Sequence, residues 1–192
     1  MYRFLKIFFG AIFRIFNRIE YLHTENIPDG GGYILCSNHL SWYDPLIIAT
    51  TKKIPQCSFL AKEELFKVPV IRFLAKSIDV VPIKRGEGDL GAMRKTIAMV
   101  NDKKTLIIFP EGTRSKTGKL GEGKDGVAFI AKKTNCVVIP CSISQKPFIF
   151  RKLKVTFRKP LLLKDYIEGK ELSAATGKLM SEISAGLDEM NG

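Results

Sequence analysis

The chain has 192 residues, 45% of them apolar and 26% charged, with a formal net charge of +12. That length buries a sizeable core without staples, so one globular domain is expected, and the excess of cations favours an anionic partner (nucleic acid, anionic lipid or an acidic carrier protein) about as readily as it serves solubility. Cys36, Cys57, Cys136 and Cys141 are scattered through apolar runs, and His23 and His39 lack a ligand partner at helical or hairpin spacing, which excludes a disulfide framework and a zinc site and suits a reducing compartment.

Residues 1–19 form the first predicted element, a helix with no proline and eleven residues drawn from Phe, Ile, Leu and Ala. At roughly 100° per residue, Arg3, Lys6, Gly10, Arg14, Asn17 and Arg18 gather within about one third of the wheel and leave the rest aromatic and aliphatic. The longest uncharged run is Ile7 to Phe13, well short of the roughly 20 residues of a span. The expectation is therefore a helix lying in a membrane interface, its cations toward lipid phosphates, with the remainder of the chain on the cytoplasmic side. A core helix and a cleaved targeting segment are the competing readings, the latter disfavoured by Arg14 and Arg18 within its apolar section.

Pro28-Asp29-Gly30-Gly31-Gly32 then breaks the chain, separating the helix and its lead-in (residues 1–27) from a compact body (residues 28–192). Runs rich in Val, Ile and Phe alternate with longer helical patterns from there on, the signature of an α/β domain with a largely parallel or mixed sheet flanked by helices. Strands are predicted at Tyr33 to Ser37, Ser58 to Ala61, Asp79 to Ile83, Thr105 to Phe109, Val137 to Ser142 and Lys154 to Phe157. Helices are predicted at Pro45 to Thr51, Glu63 to Lys76, Gly91 to Asn101, Gly126 to Lys133 and Ala174 to Met190, the last behind Ser173 as its cap.

The groups suited to chemistry follow the predicted strands. After the first come His39 and Asp44, five residues apart, which would point about 140° apart on a helix and meet only across a turn. Asp44 precedes Pro45 and so also suits a helix N-cap, while His39 also suits a satisfied strand-end imidazole. In the functional reading Asp44 orients His39 as a general base. Lys84 and Arg85 follow the third strand. Phe109-Pro110-Glu111-Gly112-Thr113-Arg114-Ser115 ends the fourth, packing an acid, a glycine and an arginine into one turn suited to a phosphate and an adjacent hydroxyl. Parallel strands of an open α/β sheet present ligands at their carboxyl edge, so these three positions would share one rim.

These residues resemble those of the bacterial lysophosphatidic acid acyltransferases, the 1-acylglycerol-3-phosphate O-acyltransferase family, over roughly residues 32–143. Asn38-His39 with Asp44 is similar to the family's motif of His, four residues and Asp; Ile83-Lys84-Arg85-Gly86 to the block whose arginine binds the acceptor phosphate; Phe109 to Ser115 to the Phe-Pro-Glu-Gly-Thr-Arg-Ser block; and Val138-Ile139-Pro140 to a fourth block associated with catalysis or the acyl donor. Where the family often has glycine and an aromatic residue before the second block, this chain has Ser77-Ile78-Asp79. The resemblance implies the glycerolipid acyltransferase fold and acyl transfer from acyl carrier protein or coenzyme A to the 2-hydroxyl of lysophosphatidic acid. It implies His39 and Asp44 as the catalytic pair, with Arg85, Glu111, Gly112, Thr113, Arg114, Lys62 and Pro140 around the substrates. Neither a metal, a bound cofactor nor nucleic acid is implied. Two alternatives stay open: a related acyltransferase acting on glycerol-3-phosphate or another lysophospholipid, and a non-catalytic protein of the membrane surface that binds anionic lipid. Between Phe150 and Lys164 lie six basic residues and no acid, a run suited either to an anionic donor or to a solvated strand face.

Overall fold

The computed structural model describes residues 2–67, 80–83, 90–148, 150–167, 169 and 171–191. Helix α1 (Tyr2–Asn17) leads into strand β1 (Ile19–Leu22), and β2 (Ile34–Ser37) and α2 (Asp44–Ala49) follow the glycine-rich break. Next come β3 (Cys57–Lys62), β4 (Val81–Ile83), α3 (Leu90–Asn101), β5 (Thr105–Ile108), α4 (Gly126–Thr134), β6 (Val138–Ile143), β7 (Leu153–Phe157) and α5 (Ser173–Asn191). The strands form one seven-stranded sheet in the order β1-β7-β6-β2-β5-β3-β4. From β6 to β4 every pairing is parallel, β7 runs antiparallel to β6, and β1 is parallel to β7.

Alternation along the central strands divides the core between the two faces of the sheet. Leu35, Ile107, Ile139 and Cys141 face α1 and α2, whereas Ile34, Cys36, Leu106, Ile108 and Val138 pack with α3, α4 and α5. Helix α5 approaches closely because Gly186 lacks a side chain: a Cβ there would lie 2.5 Å from Ser142 Oγ and 3.0 Å from Thr156 Cγ2.

Several elements differ from the sequence reading. Arg18 takes a left-handed φ of 42° and ends α1 at Asn17, a usual way for a helix to stop, and the next four residues become β1 instead of a plain lead-in. The segment before Pro28 thereby joins the sheet through β1 and the core through Phe13. A 3₁₀ turn, Glu63–Lys67, stands at the start of the helix expected from Glu63 to Lys76, whose remainder lies outside the described residues. Ser173 is itself the first residue of α5, and its hydroxyl donates to Glu171 instead of serving as a cap.

The wheel of α1 docks in an unexpected rotation. Part of the polar third faces inward: Gly10 and Asn17 are buried, Lys6 Nζ donates to the Ile54 carbonyl, and Asn17 Nδ2 donates to the Phe148 carbonyl at 2.8 Å. Desolvation accordingly lowers the Lys6 pKa from its ordinary value. What faces outward is apolar, with Phe4, Ile7, Phe8 and Ile15 each at least half exposed, while Arg3, Arg14 and Arg18 are exposed as well. Among the described residues no helix is long and apolar enough to cross a membrane.

Candidate active site

The parallel strands β2, β5, β3 and β4 lie side by side, so their carboxyl ends share one edge, and His39 and the turn after β5 meet there. Asn38 fixes the exit from β2. Its side-chain amide donates to the Ile143 carbonyl at 3.0 Å and accepts from the Ile143 N–H at 2.8 Å, locking the turn to the end of β6. Both groups are fully buried, so each of these bonds resists solvent.

Asp44 does not cap α2. Its carboxylate points back into the preceding turn, where one oxygen, Oδ2, accepts from His39 Nδ1 at 2.8 Å, the Leu40 N–H at 2.6 Å and the Ser41 N–H at 2.7 Å. The Asp44 side chain is completely buried and that of His39 14% exposed. A carboxylate only accepts, so Nδ1 carries the hydrogen and Nε2 presents its lone pair outward.

The rest of His39 is held by the Phe-Pro-Glu-Gly-Thr-Arg-Ser turn. Phe109 stacks on the imidazole with ring centroids 4.0 Å apart at 18°. Glu111 accepts the His39 backbone N–H on Oε1 at 2.8 Å, and the Ser115 N–H donates to the His39 carbonyl at 2.8 Å. The second Glu111 oxygen accepts from the Gly121 N–H at 2.9 Å. Glu111 is buried, and both of its oxygens are engaged with backbone. Its observed work is thus to fix the turn that carries the base, a role that nothing local in the motif reveals.

Gly112 turns with φ 69°, and a Cβ there would lie 3.3 Å from both Cε and Nζ of Lys124. In the sequence the single signal for this lysine is its place in the glycine-rich stretch Gly121-Glu122-Gly123-Lys124-Asp125-Gly126. Its backbone N–H donates to the Pro110 carbonyl at 2.9 Å, and it lines a cavity of about 260 Å³ together with His39, Leu60, Met93, Phe109 and Val127. Arg114 lies with Cζ 3.7 Å above the centre of the Trp42 ring. Among the described residues no carboxylate pairs with Arg114 or Lys124, so one unpaired cation, Lys124, lines a mostly apolar cavity and a second, Arg114, lies stacked on Trp42.

Thr113 is exposed on the turn. Lys62 ends β3 at the same carboxyl edge, in register with Ile83; Arg85 lies outside the described residues. Pro140 is buried within β6 beside Cys36, its carbonyl accepting from the Arg158 N–H at 2.8 Å, and it does not reach the cavity lined by His39. The four cysteines are buried and free, and burial raises every thiol, that of Cys57 to about 11.

Residues 18–144, which carry this whole arrangement, match the Acyltransferase family. The chain belongs to that family. Among known acyltransferases it is 33% identical over 132 residues to the chloroplastic 1-acyl-sn-glycerol-3-phosphate acyltransferase BAT2 of Brassica napus, a match covering 67% of this chain and 38% of the relative. It is 24% identical over 189 residues to the 1-acyl-sn-glycerol-3-phosphate acyltransferase of Bacillus subtilis, covering 95% and 94% of the two chains. The crystal structure of the 1-acyl-sn-glycerophosphate (LPA) acyltransferase PlsC from Thermotoga maritima superposes with a TM-score of 0.83 at 26% identity, covering all of this chain and 80% of the other. The acyltransferase chain thus spans well under half of the plant relatives and nearly all of the Bacillus one.

Proposed function

We propose that this acyltransferase moves a fatty acyl group from an acyl thioester to the 2-hydroxyl of lysophosphatidic acid, giving phosphatidic acid. The observation that carries the reading is the immobilised base: Nδ1, backbone N–H, carbonyl and one ring face of His39 are all engaged, and Nε2 remains beside the cavity. In the proposed step Nε2 takes the proton from the acceptor hydroxyl as its oxygen attacks the thioester carbonyl carbon. The tetrahedral intermediate then collapses, the C–S bond breaks, and the proton passes from His39 to the departing thiolate. Asp44 stabilises the imidazolium in between, and fixed orientation together with base catalysis each contribute several orders of magnitude. No metal or bound cofactor takes part.

Arg114 and Lys124 supply positive charge for the acceptor phosphate, and the apolar lining of the cavity suits an acceptor that already carries an acyl chain over bare glycerol-3-phosphate. The donor is an acyl carrier protein or coenzyme A thioester, both anionic and suited to the basic run from Arg151 to Lys164. The outward apolar face of α1 rests on anionic lipid at the cytoplasmic face of the membrane, where the acceptor resides.

The test is thiol release from palmitoyl-coenzyme A and from palmitoyl acyl carrier protein, each with lysophosphatidic acid, with glycerol-3-phosphate and without acceptor. Release only with lysophosphatidic acid, matched by phosphatidic acid formation, is expected. Release driven by glycerol-3-phosphate alone, or no acceptor-dependent release, would overturn the reading.

A further inference from the structure

We infer that the membrane footprint of this protein extends beyond α1 to the mouth of the active site, with Trp42 and Tyr43 seated in the interface of an anionic bilayer and Phe148 and Phe150 forming a further apolar point. The inference rests on the reading that α1 lies on a membrane. It goes beyond that reading by placing the catalytic turn itself at the lipid surface.

Four observations converge on it. Trp42 and Tyr43, in the turn between His39 and Asp44, are 58% and 55% exposed, although both are large aromatic residues. Their amphipathic rings suit the headgroup level of a bilayer better than bulk water. A path of rings joins Tyr43 to the exposed face of α1: Phe4, Phe8, Phe9 and Phe13 follow one another along the helix at 5.5 to 6.3 Å, and Phe13 meets Tyr43 edge-on at 6.2 Å. On the same flank of α1 the Phe16 ring lies 6.4 Å from Phe150.

The loop bearing Phe148 and Phe150 is tied to the end of α1. The Asn17 side chain donates to the Phe148 carbonyl, and the Phe150 N–H donates to the Phe16 carbonyl. Phe150 holds a left-handed φ of 65° while its side chain is 73% exposed. A bulky residue there adopts an unfavourable backbone conformation to project an apolar ring outward.

Charge decides which occupant fits. Arg3, Arg14 and Arg18 flank the apolar stripe of α1, Arg151 lies 5.4 Å from the Phe148 ring, and Arg114 covers one face of Trp42. Apolar rings bordered by arginines complement lipid phosphates above acyl chains. With Trp42 in the interface, Arg114 lies at the depth of the headgroups. The phosphate of a single-chain phospholipid then meets its cation without leaving that plane, and its glycerol hydroxyl is carried toward His39.

Trp42 is the only tryptophan of the chain, so its emission reports this turn alone. The full-length protein is mixed with vesicles of phosphatidylcholine, with and without phosphatidylglycerol, and with a matched set whose acyl chains are brominated near the headgroup. Co-sedimentation with the anionic vesicles, a shift of emission to shorter wavelength and quenching by the brominated lipid are expected. Co-sedimentation with unchanged, unquenched emission overturns this inference while α1 remains a membrane anchor. Failure to co-sediment overturns both. A second arm uses the double variant Phe148→Ser, Phe150→Asn, asparagine being chosen because it tolerates positive φ. It should lower the bound fraction several-fold with its thermal midpoint retained, and wild-type vesicle binding by that folded variant would refute the contribution of the loop.

Discussion

At the scale of single residues the site is a means of immobilising one imidazole. His39→Ala removes the base but no acceptor-binding cation, so it should still bind lysophosphatidic acid and lose acyl transfer by at least about a thousandfold, read by single-turnover kinetics. Retained turnover would remove His39 from the chemistry. Glu111 is the more informative position. Both its oxygens accept backbone N–H groups, and in Glu111→Gln the amide NH₂ must face one of those donors. A stability loss of about 3 kcal/mol in urea unfolding is expected, the worth of charged hydrogen bonds in a buried setting. The kinetic loss should fall on kcat, because the turn carrying His39 shifts. A raised acceptor KM at intact kcat would instead make Glu111 a direct acceptor ligand. The sequence revealed the catalytic residue types, but the actual partners of Glu111 lie 72 residues back along the chain and ten forward, beyond any local pattern.

At the scale of elements, two contacts of α5 make predictions. Gly186 sits where a methyl group would enter the Ser142 hydroxyl, which itself donates to the Ile183 carbonyl at 2.7 Å. Gly186→Ala should therefore destabilise the fold by about 1–3 kcal/mol in spite of its better helix propensity, and unchanged or increased stability would contradict the packing. About one turn further along this helix, Glu189 Oε1 lies 2.6 Å from His23 Nε2, while its second oxygen accepts from Arg158. The hydrogen bond to Glu189, with that to Glu25, raises the His23 pKa above its ordinary 6.5. A raised folded pKa means that the native state holds the proton more tightly. The contribution is thus complete below about pH 6.5 and is lost as pH rises through the higher folded value. It is small, because His23 is 43% exposed. The urea midpoint should decline over that window in the wild type and not in His23→Gln; equal slopes would show that the pair contributes nothing.

At the scale of the whole molecule, the charge of +12 and the outward apolar face of α1 act together. Vesicle binding should weaken as salt rises from low to physiological ionic strength, since the Debye length contracts to about 8 Å, but a residue of binding should persist because ring insertion is not screened. Complete loss in salt would leave electrostatics alone as the cause, and salt-independent binding would leave only the apolar face. The sequence by itself determined what depends on short-range order: the alternation of strands and helices, the amphipathic first helix, and the residue types that follow β2 and β5. Each is a periodicity or a turn chemistry contained within a few neighbouring residues. Only the tertiary structure decided which flank of α1 faces outward, that residues 19–22 become an edge strand, that Asp44 turns back to His39 instead of capping α2, and that Asn38 clamps Ile143 at a separation of 105 residues. These depend on the order β1-β7-β6-β2-β5-β3-β4, because long-range hydrogen bonds exist only once the sheet has brought their partners together.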